Sequence, residues 1–224
     1  ARGRNRVAGA DVYWSPTAQD QLRARLLGSQ TSAGFDALGQ AVRTEAENGH
    51  WLELRWNRRS ERWIVNLDID DLSPRFRNDN GFVDPAGVRR VEGEVIRRWG
   101  EVRALGVDWH EFETYLWTQQ VTAREDAVGG IDRGQTVARR WYPGIWFAGP
   151  LNSEGWVQLR LDGERARPGG RLHPARGVNA QIGLNPAPWF TRLTAELNIG
   201  ERIDVDADRP GRGADGFIEA ILRG

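Results

Sequence analysis

Residues 62–90 read RWIVNLDIDDLSPRFRNDNGFVDPAGVRR, and the first ten decide the fold. Trp63, Val65, Leu67 and Ile69 alternate with Asn66, Asp68 and Asp70, the period of a strand with one apolar and one polar face. A segment rich in Asn, Asp, Pro and Gly follows. Val88 to Trp99 then alternates again, with Val91, Gly93 and Val95 opposite Glu92, Glu94 and Arg98. Strand, polar loop, strand is the unit that recurs along the chain.

Toward the N-terminus, residues 49–58 place Leu52, Leu54 and Trp56 opposite Glu53 and Arg55. Residues 5–15 and 21–31 form a hairpin, with Val12, Trp14, Leu22, Ala24 and Leu26 against Asp11, Tyr13, Arg23 and Arg25. QAVRTEAEN, residues 40–48, has the composition of a short helical turn. Toward the C-terminus, residues 108–124 make a strand of ambiguous phase, because Phe112, Thr114 and Leu116 compete with Tyr115 and Trp117 for the apolar face. Residues 134–147, 154–163, 175–185, 191–203 and 214–223 complete eleven strands. Residues 205–215, VDADRPGRGAD, read as a solvated loop.

Most of these strands have the length of a tilted membrane-spanning strand, about nine to eleven residues. Their connections alternate between short turns and longer loops, the asymmetry of outer-membrane barrels. Trp14, Trp56, Trp63, Trp99, Trp109, Trp146, Trp156 and Trp189 all lie close to the short turns. An up-and-down threading gathers them at one rim as an aromatic girdle, since indole prefers the bilayer interface.

The expected fold is therefore all-β: an antiparallel up-and-down transmembrane β-barrel. Residues 1–224 form a single barrel domain that is a portion of a longer chain, since single-chain bacterial barrels have even strand numbers. The phase follows from energy. Arg facing lipid at mid-membrane costs about 2–4 kcal/mol, so the polar row must face inward. That row contains Arg23, Arg25, Glu53, Arg55, Asn66, Asp68, Asp70, Glu92, Glu94, Gln158, Arg160, Asn179, Gln181, Arg192, Glu196 and Asn198. Both signs of charge in one lumen suit neutral polar solutes better than ions.

Composition narrows the partners. With 31 basic and 31 acidic residues the net charge is zero, which leaves no electrostatic footprint for nucleic acid. Every basic side chain except histidine is Arg, and Cys and Met are absent, so disulfides and thiolate metal sites are excluded. No apolar run reaches the length of a membrane helix, which leaves barrel strands untouched.

NRVAGADVYW, DQLRARLLGSQT, HWLELRWNRRSERW and above all DDLSPRFRNDNGF, residues 70–82, resemble a bacterial outer-membrane barrel domain of unknown function. In that family the barrel usually lies C-terminal to a family 9-like carbohydrate-binding module. The resemblance implies an outer-membrane location, a barrel fold and a carbohydrate association, with no known chemistry. Nothing in this chain resembles the module itself.

Other chemistry is weaker. Glu92 and Glu94 could act as acid and base, but a charge-compensated lumen accounts for them with no added assumption. Asp68, Asp70, Asp71 and Asp79 lack calcium-loop spacing, and His50, His110 and His173 stand far apart. No cofactor or metal is expected. The function implied is passage, binding or display of a polar or carbohydrate-related ligand, with outer-membrane lipid as the surrounding partner. The alternative is a soluble all-β carbohydrate-binding or glycan-processing protein.

Overall fold

A computed structural model describes residues 4–35, 41–43, 45–77, 87–124, 131–165, 169–204 and 206–223. The chain is all-β. Its strands are β1 (Asn5–Trp14), β2 (Asp20–Thr31), β3 (Gly34–Phe35), β4 (Ala41–Arg43), β5 (Glu47–Arg59), β6 (Trp63–Leu72) and β7 (Val88–Ala104). They continue with β8 (Val107–Ala123), β9 (Thr136–Gly149), β10 (Ser153–Arg165), β11 (Leu172–Leu184), β12 (Phe190–Asp204) and β13 (Arg209–Leu222). Eleven of them make one open up-and-down sheet in the order β1-β2-β5-β6-β7-β8-β9-β10-β11-β12-β13. The remaining two, β3 and β4, pair as a ribbon. Ala41–Arg43 is thus a strand and not part of a helical turn.

Two compact units are present. The first comprises Ala1–Asn57, Leu67–Glu92 and Gln120–Val137, and its buried apolar residues are Leu72, Phe76, Val88, Ala123 and Ile131. The second comprises Arg58–Asn66, Gly93–Gln119 and Ala138–Gly224, with Ile64 and Ala175 buried.

In the second unit the strand registers carry the face pattern across five strands. Ile145, Val157, Ala180, Leu197 and Gly216 form one cross-strand row. Phe147, Gly155, Ile182, Ala195 and Ile218 form the next. Between them, pointing the other way, Trp146, Trp156, Gln181, Glu196 and Phe217 stand in register, followed by Gly144, Gln158, Asn179, Asn198 and Asp215. In the first unit Val12 and Trp14 pair with Ala24 and Leu22, while Asp11 and Tyr13 pair with Arg25 and Arg23.

The ambiguous phase of β8 is settled by its partners. Tyr115 donates to Gln158 Oε1 at 3.1 Å, Trp117 stacks on Tyr142 at 5.1 Å, and Arg98 bridges Glu113 at 3.0 Å. Glu113, Tyr115 and Trp117 therefore share the polar face, leaving Thr114 and Leu116 on the apolar one.

Strands run further than the sequence pattern implies, so several loops are shorter. Asp204 pairs with Arg209 and the register continues through Ile203–Pro210, Arg202–Gly211 and Gly200–Gly213. Most of the stretch read as a solvated loop at 205–215 is β13. Pro210 is tolerated because β13 is an edge strand, where a missing N–H costs no ladder bond. On the opposite side, turns 15–19, 60–62, 105–106, 150–152 and 185–189 are all short, whereas 32–46, 73–87 and 124–135 are long and 166–171 and 205–208 are not. The length asymmetry holds over the first three loops and fades over the last two.

The β7–β8 turn consists of Leu105 and Gly106, with φ of 55° and 77°. Positive φ at both central residues is the type I′ pattern, which matches the twist of the flanking strands but disfavours Leu. Leu105→Asn should raise the midpoint of chemical unfolding in detergent micelles, adding about 0.5–1 kcal/mol. An unchanged or lowered midpoint would show that the turn stores no such strain.

Candidate functional site

Exposure along single strands is inverted relative to a water-soluble protein. On β5, Glu53 is 2% exposed and its neighbour Leu54 is 39% exposed. On β10, Asp162 is 7% exposed and Leu161 42%. Buried polar residues also include Asp20, Asp71, His173 and Thr194, while Leu26, Val157, Leu159, Val178, Ile182, Leu197 and Ile199 stand in the open. Charges removed from water require partners, and the polar face supplies them.

In the first unit the cluster centres on Glu53. Arg25 Nη1 lies 3.3 Å from Glu53 Oε2, and Arg55 Nε lies 2.8 Å from Oε1 and 3.2 Å from Asp68 Oδ1. The angles to Arg55 leave Glu53 Oε1 and Asp68 Oδ1 short of a hydrogen bond. Trp51 donates its indole N–H to Asp70 at 3.1 Å, and the Arg25 guanidinium lies 5.8 Å from the Trp51 ring. Arg23, Arg25, Trp51, Glu53, Arg55, Asp70, Leu72, Val88 and Arg90 enclose a cavity of about 340 Å³. Arg23 makes no ion pair among the described residues.

Against Trp51, which lines this cavity, packs the segment that follows β6. Asp71, 5% exposed, accepts from Arg89 at 2.6 Å and is also bonded by Arg124. Ser73 N donates to the His50 carbonyl at 2.9 Å, and His50 N donates to Ser73 Oγ at 2.8 Å. Phe76, 3% exposed, packs edge-on against Trp51 at 6.0 Å. Arg77 N reaches Ser29 Oγ at 3.1 Å, and Asn5 Nδ2 reaches the Arg77 carbonyl at the same distance. Gly49 makes the crossing possible, because a Cβ there would stand 2.2 Å from the Phe76 nitrogen.

Residues 73–77 therefore lie across the polar face of β1, β2 and β5. Alternation cannot reveal where a loop folds. The signals were Gly49, Phe76 and the doubled Asp70–Asp71. Asp79 and the remainder of the motif lie outside the described residues.

In the second unit the polar face is held by neutral and charged pairs. Asn66 donates to Glu94 Oε2 at 2.7 Å, Trp156 to Gln181 Oε1 at 3.0 Å, and Arg192 to Glu154 Oε1 at 2.6 Å. Asn198 donates to Glu196 at 3.0 Å and to Asp215 at 3.2 Å, and Arg160 Nε lies 3.3 Å from Asp162 Oδ2. The bond from Asn66 engages Glu94, whereas Glu92 belongs to the first unit. Among the described residues no group of three His, Asp or Glu converges as a metal site would require.

The tryptophans divide. Trp14, Trp63, Trp99 and Trp189 are exposed, Trp56 donates to Asp20 at 3.2 Å, and Trp109 packs on Phe147 at 4.8 Å. Trp146 and Trp156 are cross-strand partners, and Trp156 reaches Gln181 on the polar face. These two do not belong to an outward-facing ring, because closeness to a turn says nothing about parity along the strand. Sequence reasoning also missed Arg97, discussed below, whose odd position places it with Val95 on the apolar face. Comparison of the chain with known protein families, curated proteins and solved structures found no match.

Replacing Gly49 with Ala should expel residues 73–77 from the polar face while leaving the strands intact, since overpacking costs about 1–3 kcal/mol locally. Trypsin would then cleave after Arg75 or Arg77 about tenfold faster, with an unchanged far-ultraviolet spectrum. Equal cleavage rates would place the loop elsewhere in solution.

Proposed function

We propose that the chain is a portion of a bacterial outer-membrane β-barrel, with the polar face toward the interior and the apolar face toward lipid. The observation that carries this reading is the inversion of exposure between adjacent residues, Glu53 against Leu54 and Asp162 against Leu161. A contiguous apolar surface with paired charges behind it suits hydrocarbon as solvent and is rare on soluble proteins. Strands of ten to seventeen residues are long enough to span with tilt. Exposed Trp63 at a strand end in the second unit, and Trp14 at one in the first, suit the interfacial zone.

Closure is a topological requirement of this reading. With eleven up-and-down strands, β1 and β13 run in the same direction, so they cannot close on each other by antiparallel pairing. Open edges are not tolerated in hydrocarbon. A closed antiparallel barrel then needs an odd number of additional strands, supplied by a longer chain or another copy. The resemblance to outer-membrane domains that follow sugar-binding modules agrees with this.

For the lumen, the cavity of the first unit combines the Trp51 ring, four arginines, Glu53 and Asp70. An aromatic surface among fixed donors and acceptors suits a hydroxylated or carboxylated solute. Balanced charge favours passage or binding of polar solutes over strong ion selectivity. No residue is assigned a catalytic role.

The protein purified in detergent should aggregate when detergent is removed, and in cells it should sediment with outer membranes and resist urea extraction. A compact monomer in detergent-free buffer would overturn the membrane reading.

A further inference from the structure

The apolar face of the second unit carries a guanidinium in an unexpected setting. Arg97 lies on β7 between Val95 and Trp99, on the face opposite the paired Arg98 and Glu113. Its guanidinium carbon stands 4.8 Å from the Trp63 ring centroid and 5.0 Å from that of Trp99. Arg97 makes no hydrogen bond or ion pair among the described residues, so these two rings are its partners. Cation–π contacts hold the guanidinium in place and leave its N–H donors unspent.

Two recesses meet at this side chain. Toward the strand interior, Trp63, Val95, Arg97, Trp99, Thr114 and Leu116 line a shallow groove of about 760 Å³. Toward the turn, Glu61, Arg62, Arg97, Trp99 and Glu111 line a second one of about 560 Å³. Arg98 also borders it but is engaged by Glu113 at 3.0 Å. The first recess is largely apolar; the second carries carboxylates as well as arginine.

We propose that this is a binding site for one phospholipid with a zwitterionic headgroup. Arg97 takes the phosphate through its N–H fork, the geometry in which Arg binds phosphate best. One acyl chain lies along Val95 and Leu116, and the headgroup ammonium faces Glu61 in the β6-side turn. An arginine fixed by two indoles on an apolar surface has this amphiphile as its electrostatic and hydrophobic complement. The proposal rests on the apolar face being turned to lipid.

Native mass spectrometry of the full chain in detergent micelles tests it with phosphatidylethanolamine, phosphatidylglycerol and diacylglycerol. One phosphatidylethanolamine should be retained in preference to the other two, and millimolar inorganic phosphate should not displace it. R97Q should weaken retention about tenfold, whereas R103Q, which removes an exposed charge paired with Asp108, should leave it unchanged. If R97Q folds poorly, E61Q serves instead and should abolish the preference for ethanolamine over glycerol headgroups. Wild-type retention by R97Q, equal binding of diacylglycerol, or an undiminished headgroup preference in E61Q would overturn the site. A chain that stays monomeric without detergent would instead overturn the membrane reading beneath it.

Discussion

Glu53, held between Arg25 and Arg55 with Asp68 against the second arginine, expresses the constraint on which the structure depends. A sheet whose apolar side chains point outward must bury its polar side chains, and buried charge is tolerated only when neutralised in place. The same solution recurs as Arg98 with Glu113 and Arg140 with Glu164. Equal numbers of basic and acidic residues in the whole chain are the compositional trace of this pairing.

That constraint explains why the faces were legible in the sequence. Period-two alternation assigns parity residue by residue, and the registers of β9 to β13 keep that parity from strand to strand. Leu159 with Val178 and Gln158 with Asn179 fall on opposite faces, as alternation requires. Parity fails where neither face is uniform. On β8, Thr114 is polar on the apolar face and Trp117 aromatic on the polar face, and only the contacts to Gln158 and Tyr142 decide the matter.

Strand ends were less legible, because Gly, Pro and charge mark loops and edge strands alike. Residues 209–215 look like a loop in composition, yet their glycines lie in register with Gly200 and Arg202. Tertiary folding of a loop leaves almost no periodic trace. The placement of DDLSPRF is visible only when Phe76 is seen on Gly49 and Trp51. The segment is an inward fold that narrows the polar face. Its Phe76 packs on Trp51, whose ring lines the cavity together with Leu72 and Val88.

In the proposed barrel one face of the sheet meets lipid, and the absence of native cysteine makes that face directly measurable. Single cysteines at residues 157 to 162 on β10, spin-labelled and placed in lipid bilayers with the strands needed for closure, report collision rates with oxygen and with a polar nickel chelate. Val157→Cys, Leu159→Cys and Leu161→Cys should show high oxygen accessibility, alternating with low values at Gln158→Cys, Arg160→Cys and Asp162→Cys. Oxygen accessibility without a period of two, or high nickel accessibility at 157, 159 and 161, would contradict it.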